Sequence, residues 1–262
     1  MSTKKSAGFW VNLIRYYSGI TSPIAYLVRN FILESGIFLN KISKKIVCID
    51  IGSGTNPYLD SINKAFLSPF CVSVDIAPSE NTSVIADACR LPFCSSAADV
   101  VVMFDVIQHI SNPEKLLQKI NFVLKREGLL LITFPFLYAE CDFHDYSRWT
   151  MEGMKDLLVK QEFEIIKMRH SGGTCFAMAC FLNWILQHLI PGQRQSWRAR
   201  RTWKDILRLG VIMMITIPTT ALAWLGLIVD KFLPKNGFYM GGAILVRKRG
   251  NTNLISPHRN IL

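Results

Sequence analysis

The sequence predicts an α/β protein whose open, mostly parallel sheet carries helices on its faces. N-terminal helices precede that sheet, and an apolar helical segment precedes its last strand. Three observations predict this. Between residues 46 and 170 short apolar runs alternate with helical stretches, the pattern of successive βαβ units. Several of those runs end in a carboxylate, where open α/β sheets bind their ligands. On either side, composition and charge change abruptly. The 262 residues, 50% hydrophobic and 19% charged, suffice for a large buried core and exclude disorder as the main state. The formal charge of +11 divides as +6 over residues 1–45, −5 over 46–170 and +10 over 171–262. Basic flanks beside Trp-containing apolar segments suit anionic lipid headgroups better than nucleic acid.

The elements follow in order. Residues 8–40 space Phe9, Trp10, Leu13, Ile14 and Tyr17, then Ile24, Leu27, Val28, Phe31 and Ile32, at helical intervals, with a break near Ser22 and Pro23. Lys4 and Lys5 start this stretch, but Asn12, Arg15, Tyr16 and Tyr17 interrupt it, so a secretory signal is not expected and the following domain reads as cytosolic. Apolar runs at 46–51, 71–76, 84–86, 100–104, 129–134 and 163–168 predict strands. Pro113 opens a helix with Leu116, Leu117, Ile120, Val123 and Leu124 on one face, which Lys125, Arg126, Glu127 and Gly128 are expected to close. After Gly172 and Gly173 come apolar segments at about 174–190 and 206–229, then a last strand at 239–246. The domain boundaries expected are 1–45, 46–170, 171–237 and 238–262. The seven cysteines form no CxxC pair and read as buried thiols of a reducing compartment.

The sharpest motif is Asp50-Ile-Gly52-Ser-Gly54-Thr-Asn56-Pro57, a strand ending in a carboxylate and a glycine turn. Glycines there let a ligand approach the backbone. A dinucleotide fingerprint needs a third glycine where Pro57 stands, and Asp50 would repel a diphosphate. The chemistry suits a cationic nucleoside instead. Asp75, closing the second strand, lies where a carboxylate reaches ribose hydroxyls in nucleotide-binding units, and Asp87 follows the third.

These motifs, with Ala86-Asp87-Ala88-Cys-Arg-Leu-Pro92-Phe93 and Phe104-Asp-Val-Ile-Gln-His109-Ile, make residues 46–135 resemble a class I S-adenosylmethionine-dependent methyltransferase of the small-molecule type. The resemblance implies a Rossmann-like seven-stranded sheet whose last two strands are antiparallel, with S-adenosyl-L-methionine as cofactor. It places Asp50, Gly52 and Gly54 at the methionine part, Asp75 with Ile76 at the ribose, Asp87 and Ala88 at the adenine, and Met103 and Phe104 along the cofactor. Asn56 departs from it, standing where many members have another glycine.

Methyl transfer from a sulfonium begins from an activated electrophile, so positioning and desolvation supply much of the rate, and a base serves hydroxyl acceptors. His109 after the fourth strand, and His144 and Asp145 after the fifth, are the catalytic candidates, with packing or helix capping as the alternative for His109. Tyr146 and Arg148 are the candidate substrate ligands. The segment His144-Asp-Tyr-Ser-Arg148-Trp-Thr150 resembles one found in methyltransferases of bacterial surface-glycan and lipid-linked pathways. The competing reading pairs Asp145 with Arg148. Thr150 is assigned to capping the next helix. Cys141 and His144 lack further ligands at suitable spacing, so no metal is expected.

Residues 209–229 hold 21 positions without a charge, close to the ~20 that span a bilayer. Two full spans would place Arg194, Arg198, Arg200, Arg201 and Lys204 on the far side, against the positive-inside tendency. A re-entrant or in-plane hairpin is expected instead, kinked near Pro218, with Trp197 and Trp203 at the headgroups; a soluble cap or homodimer interface is the alternative. The function expected is methylation of a hydroxyl on a lipid-linked or glycan acceptor, at the cytoplasmic face of a membrane. A quinone or other isoprenoid acceptor, and a non-catalytic membrane-bound scaffold, are the competing readings. With no Asn-Pro-Pro-Tyr or cysteine-nucleophile signature, nucleic acid is not an expected partner.

Overall fold

A computed structural model describes residues 22–38, 46–140, 144–189, 203–233 and 237–250. The expectations for Phe9 to Tyr17, for Cys141, and for the basic loop with Trp197 lie outside the described residues. The chain divides into two compact units. One comprises Phe31–Pro135, Glu140–Arg169 and Gly242–Leu262, the other Met1–Asn30, Phe136–Ala139 and His170–Gly241.

Helix α1 (Pro23–Ser35) begins at the expected break, with Pro23 in its first turn and the Ser22 hydroxyl accepting from the Ala25 amide at 3.4 Å. The sheet contains β1 (Val47–Ile51), β2 (Phe70–Asp75), β3 (Val84–Ile85), β4 (Ala98–Phe104), β5 (Leu124–Pro135), β6 (Phe163–Ser171) and β7 (Gly241–Lys248), in the order β3-β2-β1-β4-β5-β7-β6. Strands β3 to β5 run parallel through β2, β1 and β4. At the far edge Met240 N–H donates to Ser171 O and Arg249 N–H to Glu162 O. The partner number falls as the donor number rises, so β6 and β7 are antiparallel. Ile49, Ile51, Val101, Met103, Leu130, Ile132 and Ile244 fill the core, as strands covered on both faces require.

Helices α2 (Leu59–Ala65), α3 (Pro113–Val123) and α4 (Met151–Lys160) flank these strands. Helix α3 starts as expected, with Asn112 Oδ1 accepting from Lys115 N–H at 2.9 Å, but it stops at Val123. Lys125 to Gly128 form a bulge within β5, where the register jumps from Ala98 opposite Leu124 to Val100 opposite Leu129. Lys125 Nζ clamps both carboxylate oxygens of Asp99, at 2.9 and 2.8 Å. Gly128 serves close approach, since a Cβ there would meet Lys125 O at 2.8 Å. β7 begins at Gly241 and not at Tyr239, and Gly242 within it leaves room for the Phe134 ring, which a Cβ there would strike. Among the six described cysteines, all free thiols, Cys48 is buried but Cys94 is exposed, so the expectation of uniformly buried thiols is corrected.

In the second unit α5 (Thr174–His188) and α6 (Trp203–Val229) follow β6. Gly226 of α6 approaches the backbone of Cys175 and Phe176 so closely that a Cβ would be 2.8 Å from Phe176 N. Asp230 then caps α5, accepting from the N–H groups of Gly173 (3.0 Å), Cys175 (2.9 Å) and Phe176 (3.0 Å). Asp230→Ala strands those donors at a helix N-terminus and costs roughly 2 kcal/mol. A chemical-denaturation midpoint equal to that of the wild-type protein would contradict this. Among the described residues no helix is long and apolar enough to cross a membrane.

Candidate active site

The turn after β1 is built from its backbone outward. Gly52 (φ +69°) and Gly54 (φ +51°) adopt left-handed conformations that L side chains resist. Gly52 also needs its hydrogen because a Cβ would strike the Val106 side chain. Asn56 is left-handed too (φ +58°), a conformation asparagine tolerates better than most residues, so its departure from glycine is accommodated. Its Nδ2 donates to Ser73 Oγ at 2.8 Å, tying the turn to β2. Gly52 N–H and Ser53 N–H both donate to Val74 O, at 2.8 and 3.1 Å.

Two carboxylates flank this turn. Asp75 Oδ2 accepts from Gly54 N–H at 2.8 Å and Oδ1 from Ala77 N–H at 2.9 Å, which leaves further lone pairs on both oxygens. Asp50 is only 4% exposed. Burial, and secondarily the neighbouring charge of Asp75, push its carboxyl up to about 7. Beyond β3, Asp87 Oδ1 accepts from Cys89 N–H at 2.8 Å and opens the short turn of Ala88–Arg90. Ile76 is exposed beside Asp75. Met103 was expected to line the ligand, but its side chain is fully buried in the core. Strand alternation turns Phe104 the other way, where its ring meets Tyr58 edge to face at 5.0 Å.

The segments after β4 and β5 meet at His109. Its Nδ1 lies 3.0 Å from His144 O and its Nε2 3.2 Å from Gln108 Nε2. A carbonyl only accepts and an amide nitrogen only donates, so Nδ1 carries the proton and Nε2 the accepting lone pair. His109 thus holds the His144 segment through Nδ1 and meets the Gln108 side chain through Nε2, so both ring nitrogens are engaged within the protein, as the packing alternative has it. Tyr146 N–H adds a second tie, to Gln108 O at 2.8 Å, and leaves its ring exposed. Asp145 and Arg148 pair with each other, as the competing reading has it. The Asp145 side chain is 1% exposed and both its oxygens bind Arg148, the Nη2 contact measuring 2.6 Å. Thr150 caps α4 as expected, accepting from Gly153 N–H at 3.1 Å.

Two site residues escaped the sequence reading. Asp105 follows β4 in a left-handed conformation (φ +53°), with Thr133 Oγ1 donating to its Oδ1 at 3.0 Å. Gln108 donates to Asp105 O at 2.6 Å through an almost fully buried side chain. Their only sequence signal is position: polar residues directly after a buried strand at the ligand-binding edge.

Residues 49–132, which carry this turn and both carboxylates, match the family described as "Methyltransferase domain". They are a class I S-adenosylmethionine-dependent methyltransferase domain. Solved structures share the fold across most of the chain. The [4+2]-cyclase SpnF aligns with a TM-score of 0.53 at 15% identity, over 86% of this chain and 82% of that one. A SAM-dependent methyltransferase from Archaeoglobus fulgidus aligns with a TM-score of 0.50 at 13% identity, over 88% and 98%. A Haemonchus contortus phosphoethanolamine N-methyltransferase 2 in complex with S-adenosyl-L-methionine gives 0.50 at 16% identity, over 83% and 52%. No curated protein matches the chain by sequence.

The methyltransferase turn fits its cofactor on its own geometry. A Cβ at Gly54 would meet nothing within 4 Å, so open space lies over the turn. Ser53 Oγ and Asn56 Oδ1 are buried there without a partner among the described residues, as polar atoms awaiting a ligand are. Asp50, Gly52, Gly54, Asp75, Asp87 and Ala88 are the residues that would hold S-adenosylmethionine, whose sulfonium supplies the activated methyl group. Among the described residues no cluster could hold a metal ion.

Proposed function

We propose that the methyltransferase acts on a hydroxyl of a lipid-linked or glycan acceptor, at the cytoplasmic face of a membrane. The observation that carries this reading is the inverted face of α6. The helix buries Thr219, Ala223 and Gly226, and exposes Met214, Ile217, Leu222, Leu225 and Ile228 at helical spacing. Helix α5 likewise buries Phe176, Ala177 and Ala179 and exposes Met178, Leu182, Trp184 and Ile185. On α6, small residues inward and large apolar residues outward suit a helix whose surroundings are themselves apolar. The surrounding segment carries +10, which favours anionic headgroups by about 1 kcal/mol for each lysine or arginine near the surface. Each large side chain that leaves water adds roughly 1.5–3 kcal/mol. A surface-bound enzyme reaches an acceptor whose tail remains in the lipid.

Flotation with vesicles containing anionic lipid tests the anchoring. The wild-type protein is expected to float and to detach progressively with salt, while Met214→Glu combined with Ile217→Glu lowers partitioning at least ~10-fold. Transfer of labelled methyl to a prenyl-phosphate-linked sugar, compared with the same sugar without its lipid, tests the acceptor. Equal flotation of variant and wild type, or a stable dimer that protects these faces in solution, would overturn the membrane reading. Equal transfer to both sugars would overturn the lipid-linked acceptor.

A further inference from the structure

The cluster after β4 holds one carboxylate whose bonds do not explain its placement. Asp105 N–H is bound to Thr133, lying 3.2 Å from its carbonyl oxygen and 3.0 Å from its hydroxyl, and Asp105 Oδ1 accepts the Thr133 hydroxyl at 3.0 Å. Its own carbonyl takes the Gln108 amide. These bonds keep a non-glycine residue left-handed, a conformation that costs free energy and recurs where function demands a particular orientation. Oδ2 has no hydrogen-bond partner among the described residues. Asp105 is accessible to solvent, yet burial pushes its carboxyl above the ordinary range, against the Thr133 bond and the nearby His109 that pull it down. A hydroxyl can therefore reach Oδ2 from solvent.

A second orphan lies beside it. Gln108 is 3% exposed, and its Oε1 has no partner although its Nε2 contacts both Asp105 O and His109. Exchanging the amide atoms would set Oε1 against the Asp105 carbonyl, two acceptors facing each other, so the orientation is fixed. One buried acceptor and one carboxylate oxygen are therefore left for groups that bring hydrogens. His109, the more conspicuous base, has both nitrogens engaged.

We propose that Asp105 takes the proton of the acceptor hydroxyl during methyl transfer. This assignment rests on the hydroxyl-acceptor reading above. The hydroxyl oxygen forms a bond to the methyl carbon, the carbon–sulfur bond breaks with its electron pair left on sulfur, and the O–H proton passes to Asp105 Oδ2 and then to water. A cationic cofactor and a neutral alcohol thus give a neutral thioether, a neutral ether and one proton. Thr133 and His109 are positioning residues here. Thr133 occupies Oδ1 and leaves Oδ2 free for the acceptor hydroxyl.

Asp105→Asn in the full chain provides the test, with three readouts. Calorimetry is expected to show S-adenosylmethionine affinity within twofold of wild type. Methyl transfer to the prenyl-phosphate-linked sugar is expected to fall ~10²–10⁴-fold in kcat, and the acid limb of the wild-type pH profile to disappear. Carbon-13 carboxyl spectra of the protein with S-adenosylhomocysteine bound should show one aspartate, absent in the variant, titrating above the ordinary range. Unchanged turnover, a more than tenfold loss of cofactor affinity, or an ordinary titration would each overturn the assignment. Should the wild-type protein fail to methylate the probe, the acceptor reading falls, and the spectra with the calorimetry still decide whether Asp105 is a perturbed group outside the cofactor site.

Discussion

At pH 8 the Asp50→Asn variant is expected to melt several degrees above the wild-type protein and to bind S-adenosylmethionine at least ~100-fold more weakly. Both effects come from one carboxyl. Asp50 is pushed up to about 7 by burial and by Asp75, well above its value in an unfolded chain. Below about pH 4 both states are protonated and the group costs nothing. Between pH 4 and 7 the unfolded state ionises first, so stability falls as pH rises; beyond pH 7 the loss levels off at no more than about 4 kcal/mol. The amide cannot ionise and escapes that loss. It also cannot offer a charge to a cationic ligand. Binding a ligand with a positive charge near Asp50 draws the carboxyl down again, so cofactor affinity should fall up to tenfold per unit as pH drops below about 7, with release of a proton. Calorimetry at pH 6 and pH 8, in buffers of different ionisation enthalpy, measures that proton. S-adenosylhomocysteine keeps the ammonium and lacks the sulfonium, so a limb present with both ligands assigns the effect to the ammonium. Equal affinity at the two pH values would mean that Asp50 is already ionised in the free protein.

The sheet and cofactor turn were legible in the sequence because their signals are local. An apolar strand, a carboxylate and two glycines lie within Ile49 to Gly54, and Asp75 closes the neighbouring strand. The misreadings share a different cause. Lys125 to Gly128 have the composition of a helix end, but Asp99, on the adjacent strand, draws Lys125 into a bulge. Asp145 and Arg148 resemble a polar acceptor cluster until the burial of Asp145 against Arg148 is visible. Asp105 reads as an ordinary turn residue, and only Thr133, 28 positions later, gives it a fixed orientation. Local chemistry is written in spacing, whereas the partner of a charge is settled by packing. The acceptor belongs to the second class, and the likeness of this fold to a [4+2]-cyclase shows why the sheet alone cannot name it.

Asp75→Ala is expected to weaken S-adenosylmethionine binding by ~10²–10⁴-fold, since charge-assisted hydrogen bonds contribute roughly 1.5–3 kcal/mol each and a ribose offers two hydroxyls. The loss has two sources that can be separated. Asp75 Oδ2 holds Gly54 N–H and Oδ1 holds Ala77 N–H, so truncation frees the glycine turn as well as removing the ribose partner. Asp75→Asn keeps the size of the side chain and one accepting oxygen, and should recover part of the turn geometry but little of the ribose interaction. Both substitutions remove the charge that helps hold Asp50 up. The acid limb of residual cofactor binding should therefore move to lower pH in both variants, without reaching the ordinary carboxylate range, because burial remains the larger cause. A limb that stays in place would show that Asp50 does not sense Asp75. Binding within threefold of wild type in Asp75→Ala would remove the ribose assignment altogether. A shifted limb with weakened binding would establish that the two carboxylates act as one cofactor-recognition unit, in which the charge of Asp75 sets the pH at which Asp50 offers its own charge to the ligand.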